Sequence, residues 1–221
     1  MTQLPPALSS GSVEQGRISR ATLEEEKRER ILAAMTSVFA KRGYPAATVD
    51  HLIAGAKISM GGFYKYFDGK EDCFVQVYDR VLAEVQGRID AAMPTDADWP
   101  AQAAGGLRAL VDFVVEEPLP ARIVLLEAQT GGELALKRYG ETLRRAAAFM
   151  RRGREAGDQG RDLPSGFEDA TTAGIAWLLQ NRLARGELDT LESLYPQMAR
   201  EVLEPYLGRE KAARVLRQRN R

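Results

Sequence analysis

Residues 60–67 read Met-Gly-Gly-Phe-Tyr-Lys-Tyr-Phe, putting two phenols and an ammonium into three consecutive positions, Tyr64, Lys65 and Tyr66. Phenol hydroxyls and lysine donate hydrogen bonds to phosphate oxygens, and ring edges can meet the methyl group of thymine. Phe63 and Phe67, four residues apart, share one side of a helix and can anchor it inward, so that Tyr64, Lys65 and Tyr66 project outward or sideways. The glycines at 61 and 62 cost a helix about 1 kcal/mol each relative to alanine. That cost is rational where backbone must come close to another surface. On composition alone a second reading stays open: Phe63, Tyr64, Tyr66 and Phe67 are simply an aromatic core cluster.

Two short helices carry these groups. Thr48 can cap a first one reaching about Gly55, with Val49, Leu52 and Ile53 as its buried side. His51 stands where a capping box has Glu or Gln, so that cap is expected to be incomplete. Lys57-Ile58 makes the link, Ser59 can cap the second helix from Met60 to about Phe67, and Asp68-Gly69 stops it. This is the length and punctuation of a helix-turn-helix, and the second helix suits a DNA major groove. The hydroxyls of Thr48 and Ser59, with the N–H groups at the helix starts, also suit phosphates, and Lys70 opens the next helix within reach of the same backbone. A preceding helix is expected over Thr22–Arg42, with an apolar stripe of Ile31, Met35 and Val38 beside Phe39, ending at Gly43 in a left-handed cap. A following helix spans Lys70–Ala92, with Phe74, Val77, Val81 and Val85 at helical spacing.

The stretch from Arg28 to Phe74 resembles the DNA-binding domain of the tetracycline-repressor (TetR) family of transcriptional regulators. The resemblance rests on Ile31-Leu32 with Phe39, Arg42-Gly43-Tyr44, Thr48-Val49, Ile58-Ser59, Gly61, the run Phe63–Phe67, and Lys70-Glu71, about a fifth of the chain. It implies that Thr48, Ser59, Tyr64, Tyr66 and Lys70 contact phosphates, while Met60, Gly61, Gly62 and Lys65 read or approach bases. Two departures stand out. Gly62 lies where the family commonly has Thr or Ser, which removes one hydroxyl, and Gly69 lies where a Ser or Asn often caps the next helix.

Beyond Lys70 the pattern stays helical, so the fold expected is all-α: a three-helix head with a helix-turn-helix, followed by a helical domain. Helices are expected near Ala101–Glu117, Pro120–Gln129, Glu133–Ala156, Phe167–Arg185 and Glu187–Leu207, with Pro94–Pro100 a linker and Gly157–Gly166 the longest internal loop. The domain division is a flexible arm at 1–20, the head at 21–69, an effector and dimerisation domain at 70–207, and a basic tail at 208–221 with six Lys or Arg against one Glu. In the Phe167–Arg185 helix Ala170, Gly174, Trp177 and Asn181 lie on one side, and Ile175, Leu179 and Leu183 on another. In the last long helix Leu191, Leu194, Met198 and Val202 form one stripe, beside Leu188, Tyr195 and Leu203. Helices apolar on more than one face need a second partner. The resemblance implies that these two helices pair with their copies in a homodimer that binds a palindromic operator in double-stranded DNA. It also implies a pocket for a small hydrophobic or aromatic effector. Candidate lining residues are Phe113, Leu126, Leu143, Met150, Trp177 and Asn181, each also readable as plain core.

Composition narrows the alternatives. The 221 residues hold one cysteine, Cys73, and one histidine, His51, which excludes a disulfide framework, a multi-Cys metal site and paired histidines. With no Gly-rich phosphate loop and no carboxylate pair that stands out, no catalytic residue, metal or cofactor is expected. Cys73 is expected to pack as a small apolar residue rather than act as a redox switch. No apolar run approaches the ~18 residues of a membrane span, and Met1–Gly11 lacks the build of a secretory signal, so a soluble, cytoplasmic protein without membrane contact is expected. Net charge is zero, but the chain up to Lys70 carries +3 and the remainder −3, so an anionic partner suits the head. The arginines at 144, 145, 151, 152 and 154 are expected to form a solvated face. Besides a ligand-responsive repressor, the pattern also allows an all-helical carrier of hydrophobic ligands, or a structural dimer without DNA binding.

Overall fold

A computed structural model of the protein describes residues 11–93 and 96–219, and among them every regular element is helical. The helices are α1 (Gly11–Arg42), α2 (Val49–Ala56), α3 (Met60–Tyr64), α4 (Lys70–Ala92), α5 (Trp99–Glu116), α6 (Pro118–Leu125), α7 (Glu133–Arg151), α8 (Phe167–Arg185), α9 (Leu188–Leu207) and α10 (Arg209–Arg219). Short 3₁₀ turns follow α6 at Glu127–Gln129 and α7 at Arg152–Glu155 and Asp158–Asp162. The ends of α4 and α8 fall where the apolar spacing and punctuation put them. α1 begins earlier than expected, at Gly11, inside the segment read as an arm. The run Glu14–Arg20 holds Glu, Gln and two Arg, and although Gly16 weakens it, no proline stops the helix from extending. The rest of that arm, residues 1–10, lies outside the described residues, as do Pro94 and Thr95 of the linker and the last two residues.

The head is built on aromatic packing. Phe39 of α1 and Phe74 of α4 meet edge to face at 5.1 Å, and Tyr44 adds to both, at 6.0 Å from Phe39 and 5.0 Å from Phe74. Gly43 turns the chain out of α1 with φ of 77°, the left-handed cap its position suggested. α2 lies so close to α1 that a Cβ on Gly55 would stand 2.4 Å from Cγ2 of Val38, so only glycine fits there. Phe63 and Phe67 are buried and 5.2 Å apart. Burying each ring is worth roughly 2–3 kcal/mol, enough to hold α3 in place despite its two glycines.

α4 belongs to both halves of the molecule, packing on α1 in the head and on α5, α6 and α7 beyond it. Its Cys73 is buried, and burial pushes the thiol well above its ordinary pKa, so it packs as an apolar residue. At the far end, Arg154 grips the buried Glu168 through two contacts, 2.7 and 3.0 Å, and donates to the carbonyls of Leu163 and Pro164. Burial alone would raise the Glu168 carboxyl, but the guanidinium outweighs it and holds it below the usual carboxylate range. Arg154 therefore ties the 152–166 loop to α8. Arg151 likewise pairs with Asp169 at 2.7 Å, and Arg152 reaches Gln102 at 3.3 Å, so part of the expected solvated arginine face is engaged instead.

Two further expectations change. The basic tail is not a loose end: Ala212 is buried, and Val215 and Leu216 pack against the core from α10, which lies on α9 and α5. Those three stand at i, i+3 and i+4, a short apolar stripe hidden among arginines. In α9 the residues expected to seek a partner are taken up by the chain itself. Leu191, Tyr195, Met198, Val202 and Leu203 are all buried, covered by α5, α8 and α10. α8 does keep an outward side: Ala170, Ala173, Gly174 and Trp177 are exposed while Leu179 and Leu183 are buried.

Candidate nucleic-acid interface

α3 has two sides of opposite character. Phe63 and Phe67 are buried, whereas Met60 is 48% exposed and Tyr64 56%, with Gly61 and Lys65 exposed beside them. Positions 60, 61, 64 and 65 repeat at helical spacing, so they form one outward face. The plain aromatic-core reading therefore holds for the two phenylalanines and fails for Tyr64. Tyr64 still rests its ring edge on Phe63 at 5.2 Å, which limits its freedom. A Cβ on Gly61 would meet nothing within 4 Å, so no fold contact demands glycine there. At Gly62 it would stand 3.3 Å from Oγ of Ser59 and 3.5 Å from Cβ of Ile58, a tight fit.

The turn between α2 and α3 is sharp. Lys57 adopts a left-handed conformation, φ 54°, and its N–H reaches the Ala54 and Ile53 carbonyls. A side chain there costs about 1–2 kcal/mol relative to ordinary helix, which the buried flanks Leu52 and Phe63 offset. Ser59 caps α3 by accepting the Gly62 N–H at 3.0 Å. Thr48 accepts from the His51 N–H at 3.3 Å, and Nδ1 of His51 accepts the Thr48 N–H at 3.3 Å. The cap expected to be incomplete is thus closed by an imidazole nitrogen, which stands in for the carboxylate oxygen. The Ser59 hydroxyl keeps its own O–H to donate outward, whereas that of Thr48 lies 3.1 Å from Nδ1 of His51 and can donate to it.

Lys70 and Tyr66 are less available than their spacing suggests. Nζ of Lys70 donates to the carbonyls of Tyr44 and Ala47, both at 3.1 Å, and lies 4.2 Å from the Tyr44 ring centre. It closes the α1–α2 loop, and one N–H remains for a phosphate. Tyr66, half-buried, donates its O–H to Oε2 of Glu24 at 3.0 Å, and Lys65 donates to the same oxygen at 3.3 Å. Those two donors hold the Glu24 carboxyl below its usual range, and the carboxylate in turn raises the Lys65 pKa. Glu24 is a partner that sequence spacing did not reveal, since it lies a full helix away on α1. The network also runs from Arg28 to Gln76 at 2.8 Å and from Gln76 to the Tyr66 carbonyl at 3.2 Å, so α1 and α4 together hold the end of the 60–67 segment.

The head is fastened to the helices behind it. Glu127, buried in the turn after α6, accepts the Tyr44 N–H at 2.8 Å, and Arg122 of α6 donates to the Ala40 carbonyl at 3.0 Å. Both contacts seize the end of α1 and the start of its loop.

Residues 31–77 match the family model described as bacterial regulatory proteins, tetR family. Those residues carry a domain of that family. It is 27% identical over 106 residues to the uncharacterized HTH-type transcriptional regulator YhgD of Bacillus subtilis, covering 48% of this chain and 56% of the relative. The matched stretch spans about half the length of such curated relatives. In fold it is similar to the fatty acid degradation regulator FadR from Bacillus halodurans, with a TM-score of 0.70 at 18% identity over 80% of this chain and 97% of that one. It is also similar to FadR from Bacillus subtilis in complex with stearoyl-CoA, with a TM-score of 0.62 at 16% identity over 83% of this chain and all of that one. The matched residues include all of α2 and α3, the helix-turn-helix of this all-helical chain.

None of the six candidate effector residues lines either of two surface clefts of the protein. Phe113 is fully buried under the Arg88 guanidinium, 5.3 Å from its ring, and Met150 is buried as well. Leu126, Leu143 and Asn181 are half-buried, and Trp177 is 63% exposed on the outer side of α8. Two surface clefts are lined by other residues. One, of about 360 Å³, lies between α1 and α4 at Arg28, Leu32, Gln76 and Arg80; the other, of about 540 Å³, lies between α9 and α10 at Arg200, Glu204 and Arg209. Among the described residues there is no cluster of three or more His, Cys, Asp or Glu suited to a metal ion, and no helix is long and apolar enough to cross a membrane.

Proposed function

We propose that the protein is a transcriptional repressor that grips a palindromic DNA operator as a homodimer and lets go when a small hydrophobic or aromatic effector binds. The observation that supports this best is the outward face of α3, where Met60, Gly61, Tyr64 and Lys65 stand free of the core while Phe63 and Phe67 fix the helix from behind. In this scheme Met60, Gly61 and Gly62 meet base edges, Lys65 approaches the bases with its ammonium at the flanking phosphate, and Thr48, Ser59, Tyr64, Tyr66 and the remaining N–H of Lys70 meet phosphates. Residues 21–69 act as the reading head and 70–207 as the regulatory body, with α4 common to both.

A second head comes from a second copy. The outer side of α8, with Trp177 among the small residues Ala170, Ala173 and Gly174, is the surface we assign to that pairing. Effector release needs a route from body to head, and the grip of Glu127 and Arg122 on the Tyr44 N–H and Ala40 carbonyl offers one. A ligand that prefers a body with this grip displaced lowers DNA affinity by the ratio of its own affinities for the two states.

The test is selection of genomic fragments by the purified protein, followed by a gel shift on the fragment recovered. Specific binding is expected to weaken steeply as salt rises, because phosphate contacts release counterions. Tyr64→Ala is expected to lose binding at least tenfold while the protein melts as the parent does. A Tyr64→Ala protein that binds like the parent removes α3 from the contact. Stearoyl-CoA, the ligand of the FadR neighbour, and a set of aromatic acids are the first effector probes, read as loss of the shifted band.

A further inference from the structure

One oxygen on α1 sits where a phosphate oxygen would serve equally well. Oε2 of Glu24 takes the O–H of Tyr66 at 3.0 Å and the ammonium of Lys65 at 3.3 Å, and the two donors lie together, Nζ of Lys65 being 5.1 Å from the Tyr66 ring centre. All three side chains reach the surface, with the Lys65 and Glu24 side chains 58% and 57% exposed. The grouping is therefore not a buried bridge that the fold needs. A neutral phenol and a cation converging on one anionic oxygen is the pattern by which proteins hold a DNA backbone.

We propose that Glu24 is an internal stand-in for a DNA phosphate, occupying Lys65 and Tyr66 in the unbound protein and giving them up when a duplex arrives. This rests on the reading of the α3 segment as the DNA contact. Tyr66 and Lys65 hold the carboxyl ionised across the neutral range, so the mask is permanent rather than pH-gated. The consequence is a lowered affinity for every duplex alike, because phosphates carry no sequence information. The freed Glu24 carboxylate stays beside the duplex and draws back a cation, which offsets the counterion that Lys65 releases from the phosphate and lowers the salt dependence.

Glu24→Gln keeps an oxygen for Tyr66 and removes the charge. Binding of the parent and the variant is measured by fluorescence anisotropy on the selected operator duplex and on an unrelated duplex, across a potassium chloride series. The variant is expected to bind both duplexes about two- to fivefold more tightly, the range of exposed ion pairs. Its plot of log affinity against log salt is expected to be steeper by about one. In a Lys65→Met background the gain is expected to shrink toward none. Glu25→Gln, whose side chain pairs with Arg28 at 3.7 Å on its own helix, is expected to match the parent. A parent that binds operator beside a Glu24→Gln protein that binds no tighter, or more weakly, overturns the stand-in and makes Glu24 at most an aligner of Lys65 and Tyr66. A parent that binds no DNA while melting cooperatively overturns the DNA reading and this proposal together.

Discussion

Replacing Gly61 by alanine is expected to move stability and DNA binding in opposite directions. A Cβ at this position meets nothing within 4 Å, and the backbone is not in the left-handed region, so the added methyl meets no obstacle in the unbound protein. Alanine gains up to about 1 kcal/mol over glycine inside a helix, and near the start of so short a helix about half of that. For a chain of this size the gain corresponds to a rise in melting temperature of about 1–2 °C. Against a duplex the same methyl intrudes into a close contact flanked by Met60 and Tyr64. Overpacking a fitted surface costs about 1–3 kcal/mol, so affinity is expected to fall about five- to hundredfold. Differential scanning fluorimetry and anisotropy on one preparation read both quantities. Gly62→Ala is the comparison: its Cβ stands 3.3 Å from the capping Oγ of Ser59, so no thermal gain is expected there. A Gly61→Ala protein that melts higher and binds operator as well as the parent refutes close approach of DNA at this helix.

Lys70→Met is expected to destabilise the protein by about 1–2 kcal/mol in urea titration, because its ammonium satisfies the Tyr44 and Ala47 carbonyls from a half-buried position. A midpoint and slope equal to the parent's would mean that the lysine works on DNA alone. Glu127→Ala leaves the Tyr44 N–H without its acceptor and is expected to cost about 1–3 kcal/mol, with the α1–α2 loop losing hydrogen-exchange protection first. Uniform loss of protection across the chain would count against a local fastening. Trp177→Ala is expected to leave the chain folded and shift its mass by light scattering from dimer toward monomer, and an unaltered dimer would take the outer side of α8 out of the interface.

How much was readable in advance follows from the range of each interaction. The ends of α4 and α8, the Gly43 cap and the burial of Phe63 and Phe67 depend on neighbours within a turn or two, and spacing exposes them. The role of His51 is also local, but it needed the knowledge that an imidazole nitrogen can replace a carboxylate oxygen in the cap. Lys70, Glu24 and Glu127 form contacts across 23 to 83 positions, for which a single chain offers no periodic signal. The effector candidates stay open to two readings for a related reason: an apolar residue on a middle helix, such as Phe113 beneath Arg88, has the same pattern whether it lines a cavity or packs as plain core. In α9 the spacing correctly marked more than one apolar face, but the partners that cover them are α5, α8 and α10, the last with a stripe that is short and hidden among arginines.

The double membership of α4 has a mechanical consequence. Its 23 residues make a rod about 34 Å long. The helix runs unbroken from its head end, locked to α1 by Phe39 and Phe74, to its body end against α5. Any tilt of the rod is therefore delivered to the α3 surface that we propose faces the groove. Pivoting by about 5° would carry one tip about 3 Å, close to the ~3.4 Å rise of a single base step. A lever of this length turns a small sideways push in the body into a misfit of nearly one rung on the DNA ladder.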